Sequence, residues 1–284
     1  METRPTADGT AAPAPNGQPA LGRRALLGMA LAWALARPRW SAAAATEARK
    51  GAFSARASLL FGAFRFEESG AIEETIDRVA GRYDVRITGR GSDMTTEIES
   101  TGTLRDGRWA PLRFADRFVV YGRESRLEIM YDYAQRVIRY QGRSETFLLR
   151  RIRVTDDTVA MPAAAHVDDV VSATLNYAEG RWPPEADGRL MTRVIRRQRV
   201  PGERPDDTER RYRAELVPFE LRVTAEPSGR ATALLDMTRF SSWAREDEPA
   251  RIVFGADRRP ESITASLILG TSLAIRIGPA PAAS

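Results

Sequence analysis

Residues 82–88, Arg-Tyr-Asp-Val-Arg-Ile-Thr, decide the fold class. Tyr83, Val85 and Ile87 alternate with Arg82, Asp84, Arg86 and Thr88, a period of two. A strand sends successive side chains to opposite faces, so this run has one dry face and one wet face. The pattern recurs. Leu127, Ile129, Tyr131 and Tyr133 alternate with residues that are polar except for Met130. Leu221, Val223 and Ala225 repeat it, and Leu273, Ile275 and Ile277 do so near the end of the chain. One-sided alternation is the mark of an antiparallel sheet.

Turn chemistry falls between the runs. Asp106-Gly107, Pro227-Ser228-Gly229 and Gly270-Thr271 each separate two apolar-alternating stretches, as hairpin loops do. Residues 71–79 are ambiguous, because Ile72, Ile76 and Val79 also fit a helix ending at Gly81; the strand reading is preferred. The expectation is an all-β domain, a curved antiparallel sheet or open β-barrel of about twelve to fourteen strands. Residues 46–284 are long enough for a single core, with no linker or fixed-period repeat dividing them. Residues 199–209 (RVPGERPDDTE) read as an exposed loop.

One helix interrupts the strands. Val167, Val170, Val171, Thr174, Leu175 and Ala178 share a face at helical spacing. Pro162 suits a first helical position, Gly180 a C-terminal cap, and Pro183-Pro184 a stop. The expected span is 162–179. If the β interior stays open, Val167, Val170, Val171 and Leu175 form a lid facing a cavity. Asp169 is placed to cap the helix or to act as a functional acid.

The first 45 residues read as an address. Arg23-Arg24 precede an apolar run from Ala25 to Ala36, and small residues follow to Ala45. This is the layout of a secretory signal peptide, with cleavage near Ala43, Ala44 or Ala45. Twelve helical residues span about 18 Å, short of a hydrocarbon core of about 30 Å, so no transmembrane anchor is expected after cleavage. The Arg23-Arg24 pair resembles a twin-arginine signal but lacks the flanking Ser or Thr and the Lys. The expected location is periplasmic.

Composition excludes several chemistries. The chain has 284 residues, no Cys and one His, His166. Disulfides, thiolate metal sites, Cys nucleophiles and two-His metal motifs are therefore out. Lys and Arg number 43 against 38 Asp and Glu. Removing residues 1–45 takes away five basic and two acidic residues, leaving 38 and 36, a net of +2. That balance does not point to a nucleic-acid partner, despite Arg clusters at 150–153, 193–199 and 210–213. No glycine loop for phosphate, nucleophile elbow or calcium loop is present, so no cofactor, metal or catalytic residue is assigned. The carboxylate pairs Asp156-Asp157, Asp168-Asp169 and Asp206-Asp207 leave a glycan hydrolase as an alternative. It would need two carboxyl groups facing each other across a cleft at about 5–9.5 Å.

An ordered set of features resembles a known family. It comprises Tyr83-x-Val85, Gly102 followed by Pro111 and Phe114, Tyr131-Asp132, Asp169-x-x-Ser172, and Asp257 to Pro260 before a final hairpin. Over residues 55 to 280 the chain resembles the exported bacterial family called domain of unknown function 3108. The resemblance implies a periplasmic antiparallel β protein curled into an open barrel, with no established active site. The expected function is non-enzymatic: binding an amphipathic envelope ligand (lipid, lipoprotein or glycolipid) or supporting envelope assembly. A cavity-free interaction protein is the other alternative.

Overall fold

A computed structural model describes residues 46–280, apart from 60, 62, 63, 147, 148, 164, 199–207, 209–211, 239–243, 246 and 269. The expected signal peptide at 1–45 and nearly all of the loop 199–209 lie outside the described residues. Among the described residues no helix is long and apolar enough to cross a membrane.

The protein is all-β, with fourteen strands and one short helix among the described residues. The strands are β1 (Thr46–Leu59), β2 (Phe64–Asp77), β3 (Arg82–Gly91), β4 (Met94–Arg105), β5 (Arg108–Val120), β6 (Arg123–Asp132), β7 (Val137–Glu145) and β8 (Ile152–Ala160). After the helix come β9 (Leu190–Arg197), β10 (Ala214–Ala225), β11 (Ala231–Leu235), β12 (Ala250–Phe254), β13 (Pro260–Leu267) and β14 (Thr271–Pro279). All belong to one sheet whose spatial order runs from β8 back to β1, then from β14 back to β9. Every neighbouring pair is antiparallel. The sheet curls into a nearly closed barrel. Its edge strands do not pair along their length. The seam is stitched by parallel bridges, Thr155 to Tyr212 and Val167 to Arg193. The Ala214 N–H also donates to Asp157 Oδ2 at 2.9 Å.

Local chemistry accounts for these elements. In β3, Tyr83 and Val85 are buried while Arg82, Asp84 and Arg86 are exposed, as the alternation demands. Asp106 and Gly107 both hold positive φ, 49° and 79°. That is the two-residue turn whose twist matches the flanking strands. Residues 71–77 continue β2 as strand, and Ile76 is fully buried.

Helix α1 (Val170–Ala178) is shorter than the expected 162–179. Pro162 is not its first residue, and Val167 precedes it. The reason is competition for backbone hydrogen bonds. Asp168 N–H donates to the Arg193 carbonyl at 2.8 Å, and Arg193 N–H donates to the His166 carbonyl at 3.2 Å. Those peptide groups are spent on the seam. Asp169 is the N-cap. At the other end Gly180 N–H reaches the Tyr177 carbonyl and Arg181 N–H the Asn176 carbonyl, the paired bonds of a Schellman cap.

The helix packs inside one end of the barrel, beside the β2–β3 and β4–β5 turns. Val171 and Leu175 meet Ile76, Tyr83, Val85 and Trp109. Ala173 and Tyr177 meet Trp182, Leu190, Leu221 and Phe254. Trp109 and Tyr83 pack edge to face at 5.9 Å. The space beneath the helix is thus filled with side chains. Concavities of about 360 and 430 Å³ lie elsewhere, at the β3–β4 turn and along β5 to β8.

Gly102 sits at a register shift between β4 and β5. A Cβ there would stand 2.2 Å from the Tyr83 ring and 2.4 Å from the Ala110 carbonyl oxygen. Gly107 has nothing within 4 Å, but its φ is +79°. Gly102→Ala is expected to cost about 2–3 kcal/mol, against about 1 kcal/mol for Gly107→Ala. Urea midpoints measure both. Equal costs would contradict the close packing at Gly102.

Candidate functional site

Two adjacent carboxylates occupy the centre of the helix end. Asp168 and Asp169 are 1% and 5% exposed. Asp168 Oδ2 accepts from the Arg108 guanidinium at 2.7 Å and the Thr192 hydroxyl at 2.5 Å. Its Oδ1 accepts from the Ser172 hydroxyl at 2.9 Å and the Asn176 amide at 3.0 Å. Asp169 Oδ1 accepts from Ser172 N–H at 2.6 Å, and Oδ2 from the Ser100 hydroxyl at 2.5 Å. Asn176 then bonds both backbone groups of Trp109, accepting from its N–H at 2.7 Å and donating to its carbonyl at 2.8 Å. Strands β4, β5 and β9 are joined to the helix through these groups.

Burial pushes the Asp168 carboxyl up, while Arg108 and the Thr192 and Ser172 hydroxyls pull it down. Burial also raises Asp169, to about 6, against the donors Ser100 and Ser172 and with help from the Asp168 charge. The hydroxyls of Tyr131 and Tyr133 lie nearby and have no hydrogen-bond partner among the described residues. Burial and the two aspartates hold both phenols protonated. Each Asp168 oxygen already accepts two bonds. A carboxylate so saturated has no lone pair to offer a substrate. Nor do Asp168 and Asp169 face each other across a cleft as glycan cleavage requires. The pair is a structural weld.

The other candidate residues fall into place around this weld. Val171 and Leu175 are buried against a filled core rather than beneath a cavity. Val170 is 59% exposed and points away from the interior. Val167 is buried but belongs to the seam, next to Arg193. Asp169 has the capping role, in a reciprocal box with Ser172. His166 is exposed. Asp156 lies on an exposed strand face and Asp157 holds the seam, while Asp206 and Asp207 lie outside the described residues. Arg23, Arg24, Ala43, Ala44 and Ala45 lie outside them too. Sequence reasoning missed Ser100, Arg108, Asn176 and Thr192. One signal was available: Asp168, Ser172 and Asn176 are spaced i, i+4, i+8, a polar stripe on a buried helical face.

The opposite end of the barrel is built differently. The β1–β2, β3–β4, β5–β6, β7–β8 and β13–β14 turns gather there, with the β11–β12 connection, whose Ala244 bridges Leu267. Strand register places Phe53, Ile87, Ile98, Phe118, Leu127 and Ile275 on the inner face. All six are only half-buried. Among the described residues no helix lies over this end, although Ile87 reaches the cluster around Val171 and Leu175. At this end the inner face also carries Thr96, Ser125 and Thr155 and two acids, Glu68 and Asp116. Glu68 is 5% exposed; its Oε2 accepts from the Thr96 hydroxyl at 3.0 Å and its Oε1 has no partner. Burial raises its carboxyl. Asp116 pairs with Ile98 and Leu127 across the sheet, and burial raises it to about 6. The arrangement is an apolar wall with a few polar points, the composition of a site for an amphipathic guest.

The weld has a pH signature. Asp169 binds its proton more tightly folded, at about 6, than unfolded, at about 4. Its contribution is fully present below pH ~4 and is lost as pH rises through ~6, on the order of 3 kcal/mol. Asp116 and Asp168 act in the same direction. Asp169→Asn keeps an N-cap acceptor, and the Ser100 hydroxyl can turn to accept. The variant is expected to fold and to show a shallower fall of stability between pH 4 and 7, read from urea midpoints. An unchanged slope would contradict the assignment.

No family model and no curated protein matches the sequence. Among solved structures the chain is similar to a beta-barrel-like protein of domain of unknown function DUF1849 from Brucella abortus. The TM-score is 0.42 and the identity 9%, over 81% of this chain and 95% of that one.

Proposed function

We propose that this is an exported, non-enzymatic envelope protein that takes an amphipathic guest (lipid, lipoprotein or glycolipid) into the open end of its barrel. The observation that carries the reading is the half-buried inner wall. Phe53, Ile87, Ile98, Phe118, Leu127 and Ile275 face inward and stay half-buried among the described residues, although Ile87, Ile98 and Leu127 touch the packed clusters and Phe66, Met94 and Ala265 on the same face are buried. Interiors of folded domains are close-packed. An inner apolar face left partly open costs stability that burial would recover, at about 25 cal/mol per Å². A guest with an acyl chain recovers it. The helix end supplies the rigidity, since its weld holds the barrel in shape without occupying the wall.

The Arg23-Arg24 pair, the apolar run to Ala36 and the small residues at Ala43 to Ala45 support export with cleavage, and so a periplasmic location. The ordered features from Tyr83-x-Val85 to Pro260 support grouping the chain with domain of unknown function 3108. Four of them meet at the helix end: Tyr83 bonds Ser100, Gly102 abuts Tyr83, Asp169 caps α1 and Tyr131 lies beside it.

A neutral naphthylamine probe is expected to bind with enhanced fluorescence. Ile98→Asn or Phe118→Asn should weaken it about fivefold or more, with far-ultraviolet circular dichroism unchanged. Mass spectrometry of gently purified protein should find a copurifying lipid, and N-terminal sequencing of the periplasmic form should begin near residue 44 to 46. A protein that binds no probe and carries no lipid would overturn the ligand reading.

A further inference from the structure

The geometry points to docking of the barrel's open end on an anionic lipid surface. This rests on the ligand reading above for its purpose but on separate residues for its evidence. Three hairpin tips at that end present large apolar side chains to solvent. Phe61, in the β1–β2 turn, is 81% exposed and Leu149, in the β7–β8 turn, 58%; Tyr121, in the β5–β6 turn, packs edge to face on Phe66 at 5.0 Å and is still 38% exposed. Two of these tips hold their aromatic residues in a costly backbone conformation. Phe61 has φ 56° and Tyr121 φ 48°. A bulky residue in the left-handed region is disfavoured where Gly or Asn would serve. Strain of this kind at an exposed tip suggests that the side chain is wanted there.

Charge selects the kind of surface. Arg65, Arg90 and Arg151 lie at the same end and make no ion pair among the described residues. The acids nearby are largely engaged: Glu67 with Arg56, Glu124 with Arg117 and Arg126, Glu145 with Arg150. Asp93 is an exposed exception, bonded by the Ser92 hydroxyl; Asp236, also exposed, is bonded by Thr238, and Asp247 pairs with Arg245. Apolar tips ringed by free arginines match the interface of a bilayer with anionic headgroups, where rings enter the acyl boundary and guanidinium groups meet phosphates. The opposite end lacks the pattern. Its large exposed apolar residue in the β2–β3 turn is Val79, and Arg78 beside it is held by Glu47 and Glu179. Docked by its open end, the barrel would present its half-buried inner wall directly to the membrane.

The chain contains no cysteine, so single labelled sites test the orientation. Leu149→Cys and Val79→Cys variants of the full chain carry an environment-sensitive fluorophore. Both are mixed with vesicles of phosphatidylglycerol and phosphatidylcholine. The label at 149 should shift to the blue and the label at 79 should not. Adding Phe61→Ser should weaken the shift at 149 about tenfold. Salt at about 1 M, where the Debye length falls to ~3 Å, should weaken it as well. No shift at 149, an equal shift at 79, or equal binding to pure phosphatidylcholine would overturn the inference. The naphthylamine probe separates this from the ligand reading. Phe61→Ser should keep probe binding and lose docking, and Ile98→Asn should do the reverse.

Discussion

Everything in this structure depends on burying two adjacent carboxylates at one end of a β-cylinder. An isolated ionised carboxylate is very costly in a low-dielectric interior. Asp168 meets that cost with four donors, one of them a guanidinium. Asp169 meets it partly by capping the helix and partly by a raised proton affinity. Such a group tolerates little displacement, because each lost donor leaves a buried acceptor unsatisfied. The helix is therefore fixed against β4, β5 and β9. Trp109, itself 1% exposed, is locked by Asn176 through both of its backbone groups.

That constraint divides the barrel. Two apolar clusters gather around the helix, and a third, around Phe114, Ile129 and Ile138, lies beside the seam. At the other end, the described residues are chiefly the walls of the sheet. A sheet of fourteen strands encloses more interior than nine helical residues can fill. Among the described residues one end is filled tightly and the other is half-covered. Tight packing and partial exposure thus fall at different ends of the same sheet.

Much of this was legible in the sequence. Alternation at Tyr83, Val85 and Ile87 located a strand and its dry face, and Asp106-Gly107 located a turn whose positive φ values follow from those residue types. Asp169 was legible as a cap or a functional acid, and it caps the helix in a reciprocal box with Ser172. The start of the helix was not legible. Val167 fits the helical period, but its neighbours' peptide groups bond to Arg193, a partner 25 residues away that no local pattern reveals. The weld was half hidden for the same reason. Asp168, Ser172 and Asn176 form a stripe in sequence, whereas Ser100, Arg108 and Thr192 reach it only through strand register. The open wall was not legible at all, because half-buried and fully buried positions carry the same residue types, as Ile87 and Ile76 do.

Hydroxyl-radical footprinting of the unmodified protein tests the division between the two ends most directly, since it reads solvent access residue by residue. Phe53, Phe118 and Leu127 on the inner wall should be oxidised readily, while Trp109, Tyr83 and Leu175 around the helix stay protected. Equal protection at both ends would mean a sealed interior and would contradict the account.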